Sequence, residues 1–118
     1  MESALICDKK LFSYIYELEK RRSDRDWHST YLAKIEVEKN NNQDVGSDTQ
    51  YFINILVSNM RSEDIIYQWD RNIFLLILCD LNQKEAAKIV ERISGIYFKN
   101  REREESGLEV RLWPLRNR

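Results

Sequence analysis

Residues 73–79, IFLLILC, are apolar without interruption. The run is too short to cross a bilayer and follows a turn, so it reads as a strand buried on both faces and hence central in a sheet. The preceding IIYQW, 65–69, reads as a second strand, and Asp70, Arg71 and Asn72 as the turn joining the two into a β-hairpin. A three-residue connection without glycine is unusual, but an Asp or Asn can occupy a left-handed position. Other strands and covering helices must then come from the rest of the chain.

The flanking segments supply them. DKKLFSYIYELEKRR, 8–22, places Leu11, Phe12, Ile15 and Leu18 at helical spacing, with Asp8 as N-cap and basic residues at the far end. YLAKIEVE, 31–38, alternates Tyr31, Ala33, Ile35 and Val37 against a more polar set, the period of a strand. KNNNQDVGSDTQ, 39–50, is rich in turn formers and reads as a loop, whereas YFINILVSNM, 51–60, carries a helical apolar face. DLNQKEAAKIVERISGIYF, 80–98, opens with turn formers and continues as a helix in which Gly95 costs helicity or marks an early cap. After the charged connection 99–107, LEVRLW alternates again and is stopped by Pro114. Helix, strand, helix, hairpin, helix and strand predict an α+β fold. This is a two-layer ferredoxin-like or palm-like sandwich, a central antiparallel sheet of about four strands with helices packed on it.

At 118 residues the chain is expected to be one domain, 1–118, within a longer protein. Nineteen basic against twenty acidic residues give a net charge of -1, no electrostatic case for nucleic-acid binding. The apolar runs are too short to span a membrane and no signal peptide opens the chain, so a cytoplasmic, reducing location is expected, with Cys79 a small buried hydrophobe. His28 has no second histidine or cysteine pair at metal spacing. Neither a metal site nor a cofactor is expected.

The window MRSEDIIYQWDRNIF resembles the signature region of the diguanylate cyclase family, named GGDEF after its motif. There, R-x-x-D is followed after five residues by G-G-D/E-E-F on a hairpin. Arg61 and Asp64 fall in the R-x-x-D places, and Asp70, Arg71, Asn72, Ile73 and Phe74 in the signature places, of which Phe74 alone survives. YLAKIEVE resembles the family's first strand, with Glu36 and Glu38 where D-x-D usually stands; NQKEAAKIVERI resembles its next helix, and EVRLWPL the strand that usually reads V-S-I-G-V-A. Asn40, Asn41 and Asp48 lie near the family's nucleotide-contacting Asn and Asp, in a shortened connection. The family continues past this last strand with a further helix and strand.

The resemblance implies a bacterial signalling domain whose cyclase chemistry has been lost. Metal-assisted phosphoryl transfer needs hard oxygen ligands and a backbone free to approach phosphate. Glu36, Glu38, Asp70, Arg71, Asn72 and Ile73 would be the remnant of that site, with Asn and Ile in place of both hairpin acids. The expectation is therefore no enzyme, but a regulatory domain mediating protein–protein interaction or dimerisation. The alternative is a nucleotide sensor, binding cyclic di-guanylate through Arg61 and Asp64, or a nucleoside triphosphate in the altered cleft with Arg71 on phosphate. Read without the resemblance, Arg61 and Asp64 are a charged helix end and a turn residue, paired locally. Tyr67, Trp69 and Trp113 either close the core or form an apolar patch for a protein partner.

Overall fold

The computed structural model describes residues 5–25, 30–38, 45–99 and 107–115. In chain order these form β1 (Leu5–Cys7), α1 (Lys9–Arg25), β2 (Thr30–Val37), α2 (Val45–Asn59), β3 (Ile65–Asp70), β4 (Ile73–Cys79), α3 (Gln83–Lys99) and β5 (Leu108–Pro114). Local chemistry marks the helix starts. The Leu11 amide donates to the Asp8 side chain at 2.8 Å. Asn82 and Glu85 exchange backbone-to-side-chain bonds of 2.8 and 2.9 Å, a capping box at the head of α3.

The strands make one five-stranded sheet in the order β1-β3-β4-β2-β5. β4 pairs antiparallel with both β2 and β3, as its doubly apolar sequence requires. β2, α2 and β3 form a split βαβ unit with β4 between its strands, and β4, α3 and β5 interlock with it around β2, which is the ferredoxin-like arrangement. The sequence-based reading lacked β1, which pairs parallel with β3 and makes the sheet mixed. Three residues are too few to show a periodicity.

α2 and α3 cover one face. Ala33, Ile35 and Val37 of β2 and Phe74, Leu76 and Leu78 of β4 meet Phe52, Leu56, Ile93 and Tyr97 there. Phe52 is the hub, with ring centroids 5.4 Å from Phe74 and 5.7 Å from Tyr97. α1 lies on the opposite face, where Phe12, Ile15 and Tyr16 pack against Leu32, Tyr67, Leu75 and Ile77. At its far end Glu19 is buried and accepts from the Thr30 hydroxyl at 3.0 Å and Arg22 at 2.8 Å.

Two local expectations are corrected. Residues 45–50, expected as loop, begin α2, because small and polar residues that favour turns are also suited to a helix's first turn. Of the two readings of Gly95 the early cap is removed and the helicity cost stands, since α3 runs on to Lys99. Asn40, Asn41 and His28 lie outside the described residues, as do the side chain of Asp48 and the charged stretch 100–106. Among the described residues no helix is long and apolar enough to cross a membrane.

Candidate functional site

The hairpin turn sits at the end of the sheet beside the last residues of β2. The expected three-residue connection with a left-handed residue is not what forms. Asp70 pairs with Ile73, so Arg71 and Asn72 alone make the turn, and the register shifts between Gln68 and Asp70. Among the described non-glycine residues only Asp80 has a positive φ, 58°. The bulge at Trp69 supplies the twist that positive φ angles provide in tighter hairpins, and so removes the need for glycine. Asp70 Oδ1 accepts from the Arg71 amide at 2.8 Å, and Gln68 Nε2 donates to the Arg71 carbonyl at 3.0 Å.

Asn72 points inward. It is 7% exposed, and its Nδ2 donates to the Val37 carbonyl at 2.9 Å. The Val37 amide returns a bond to the Asn72 carbonyl at 2.8 Å, stitching the turn to β2. Ile73 stands directly opposite Glu36, whose other cross-strand neighbour is Glu109. Glu38 is exposed and lies against Gly107, where an added Cβ would come 2.7 Å from its Oε1. Thus Glu36 keeps its place beside the hairpin, but its neighbour there is a hydrocarbon side chain. Among the described residues no three His, Cys, Asp or Glu gather closely enough to hold a metal ion.

Arg61 and Asp64 close on each other. Arg61 Nε and Nη2 donate to the two carboxylate oxygens at 3.0 and 2.7 Å, and the Arg61 amide donates to Oδ2 at 3.0 Å. The same Nη2 reaches the Cys79 carbonyl at 2.7 Å, tying the end of α2 to the end of β4. Asp64 is completely buried. The hydrogen bond to Asp64 holds the Arg61 guanidinium even further above its usual range.

No protein-family model matches the chain, and no curated protein matches it in sequence. Solved structures do match in shape. The GGDEF domain of FimX from Pseudomonas aeruginosa superposes with a TM-score of 0.78 at 11% identity, over 94% of this chain and 76% of that one. The GGDEF domain of DgcB from Caulobacter crescentus, solved in complex with c-di-GMP, gives 0.76 at 8% identity over 92% and 72%. Diguanylate cyclase SiaD from Pseudomonas aeruginosa, solved with its activator SiaC, gives 0.65 at 19% identity over 94% of this chain and 47% of that one.

The chain has the GGDEF fold.

Within that fold, two concave surfaces flank the hairpin strands. The smaller, about 210 Å³, lies between α2 and the hairpin and is lined by Thr49, Gln50, Ile53, Gln68 and Arg71. The Thr49 hydroxyl is buried without a hydrogen-bond partner. Of these residues, sequence reasoning picked out Arg71 alone, since Thr49 and Gln50 fall in the stretch it took for a loop.

The larger cleft, about 510 Å³, opens on the α1 face, where Phe12, Leu32 and Leu75 lie between Trp69 and Trp113. Trp69 and Trp113 are 57% and 39% exposed, so they rim this cleft and do not close the core. Lys34 Nζ stands 5.5 Å from the Trp69 ring centroid, a cation–π contact that strand alternation placed on this face. Tyr67 parts company with them, half-buried and stacked on Phe12 at 4.9 Å beneath α1.

Proposed function

We propose that this GGDEF-fold domain is a non-catalytic regulatory module that acts in signalling through protein–protein contact. The observation that carries the reading is Asn72. At the place of a signature acid its side chain is turned into the fold and bonded to Val37, and the next signature place, Ile73, sets hydrocarbon opposite Glu36. Cyclisation of a nucleoside triphosphate needs carboxylates there to hold divalent metal, and a turn that lets phosphate approach the backbone. Arg71 brings bulk and Asp70 brings negative charge to that approach. The pairing of Arg61 with Asp64 likewise occupies the donors and acceptors that a guanine ligand would use. Exposed Trp69 and Trp113, and a cleft between them, fit a domain that binds other proteins. SiaD, which shares the fold, was solved bound to an activator protein.

One observation favours a second reading. The unpartnered Thr49 hydroxyl and Arg71 share the small cleft beside the hairpin, so a nucleotide could be held there without turnover. Calorimetry with GTP and magnesium, and with cyclic di-guanylate, tests both. No heat with either ligand and no turnover is the expected result. Micromolar GTP binding lost on Arg71→Ala favours the sensor, and steady conversion of GTP overturns the non-catalytic reading.

A further inference from the structure

The partner can be named from the outer edge of the described sheet. Among the described residues β5 pairs with β2 alone and is the last strand on that side. Its ladder fixes which backbone groups face outward. The Leu115 amide donates to the Thr30 carbonyl and the Glu38 amide to the Gly107 carbonyl, both at 2.8 Å. In the antiparallel register between those bonds, Glu109, Arg111 and Trp113 turn their amides and carbonyls toward β2. Leu108, Val110 and Leu112 turn theirs away from the sheet, and Pro114, next in that series, has no amide to offer.

The side chains of this edge form a self-complementary pattern. Leu108-Glu109-Val110-Arg111-Leu112 is symmetric in polarity and antisymmetric in charge about Val110. Glu109 and Arg111 lie on one face, more than half exposed, with an ion pair of 3.5 Å along the strand. Within the chain each faces a like charge across the ladder, Arg111 opposite Lys34 and Glu109 opposite Glu36. Like charges set directly opposite are unfavourable in a sheet. Edge strands that must stay single are usually guarded by charged side chains, Pro, bulges or inward-pointing charges. Here opposite charges alternate about a centre.

We infer that β5 is the seat of a second copy of this chain, added antiparallel across a two-fold axis at Val110 to continue the sheet. In that register Val110 pairs with itself, and Leu108 with Leu112 of the second copy. All of these outward-facing residues then exchange two hydrogen bonds per pair. Glu109 meets Arg111 of the second copy and Arg111 meets its Glu109. Each rung then reads Lys34, Arg111, Glu109, Glu36 across the axis, so the like-charge pairs gain opposite charges beside them. Because the interface is isologous it closes as a dimer, and Pro114 ends the pairing at each side. A contact this small gives reversible association.

This deepens the interaction reading by naming its partner. The test is sedimentation velocity of the full chain over a concentration series, with circular dichroism melts confirming that each variant folds. The wild type is expected to shift reversibly from monomer toward dimer. Glu109→Arg alone and Arg111→Glu alone each weaken self-association about tenfold or more, by setting like charges opposite across the axis. Mixed in equal amounts, those two variants associate with each other, and the double variant E109R/R111E dimerises again. Val110→Pro removes an outward amide that none of the described strands uses, and gives a folded monomer. A wild type that stays monomeric at every concentration overturns the inference, as does a dimer that survives V110P or both charge variants. A monomer that ignores nucleotides leaves the interaction reading intact with another partner, whereas GTP turnover removes that reading whatever the sedimentation shows.

Discussion

Asn72 and Val37 are bonded to each other twice, side-chain amide to carbonyl at 2.9 Å and backbone amide to carbonyl at 2.8 Å, and this pair holds the hairpin turn against β2. The direction of the first bond matters. A carbonyl oxygen accepts, so the residue at 72 must donate, which an amide does and a carboxylate does not. The turn is thus built around a neutral side chain in a place where a cyclase would keep an acid.

Asn72→Asp is therefore expected to destabilise the fold by about 2 kcal/mol, the cost of a buried acceptor facing an acceptor. It is expected to give no GTP turnover, although it returns an acid to the signature. Urea unfolding and a turnover assay on the same sample check both. The loss should shrink at acid pH, where a protonated carboxyl can donate to Val37. A loss that is constant with pH would argue against the donor–acceptor account.

Gly95→Ala is expected to stabilise the protein by about 0.5–1 kcal/mol. Gly95 is exposed inside α3, has no unusual φ, and an added methyl would meet nothing within 4 Å. A rise in the urea midpoint at unchanged slope is the readout. No gain would mean that the helix is already fixed by its buried stripe of Ala86, Val90, Ile93 and Tyr97.

The architecture was legible because period and composition agree over long segments. IFLLILC is central because both faces are buried, and the EAAKIVERI stripe packs where its spacing directs it. What escaped was set by neighbours in space. β1 is a strand only because β3 offers it an edge. The glycine-free turn works through a bulge that spacing alone does not reveal. The left-handed residue falls at Asp80, after the hairpin and not in its turn. Within the site, the presence of Arg61, Asp64 and Asn72 at suggestive places could be read from sequence. The local pairing of Arg61 with Asp64 was one of the readings the sequence offered; that the pair would also reach the Cys79 carbonyl, and that Asn72 would face inward onto the Val37 carbonyl, no motif encodes.

Cys79 gives the domain a weakness at alkaline pH. Burial, reinforced by the nearby charges of Glu19, Asp64 and Asp80, pushes its thiol up to about 12. In the unfolded chain the thiol ionises near its ordinary value of 9.0. Above that point the unfolded state releases a proton that the folded state keeps, so stability falls as pH rises from about 9 toward 12, and is fully present below. Chemical denaturation at pH 8 and pH 10.5 should show this fall, and Cys79→Ala should flatten it. Native Cys79 is also expected to resist alkylation at pH 8 and to react once unfolded.

Arg61→Ala should be the most damaging single change at the site. It leaves Asp64 fully buried without its cation, and removes a donor from the Cys79 carbonyl. Breaking such a pair costs about 2–3 kcal/mol, less than the roughly 3–5 kcal/mol of a fully buried pair because the Arg61 side chain is 32% exposed. Replacing both partners by hydrocarbon, Arg61→Met with Asp64→Leu, should recover much of that loss, since no buried charge is then left alone. The same variants separate a structural clamp from a ligand site. If the pair is a clamp, denaturant midpoints move in this order and cyclic di-guanylate gives no heat with any of the proteins. If it is a ligand site, wild type binds cyclic di-guanylate, the double variant does not, and the order of stabilities need not follow.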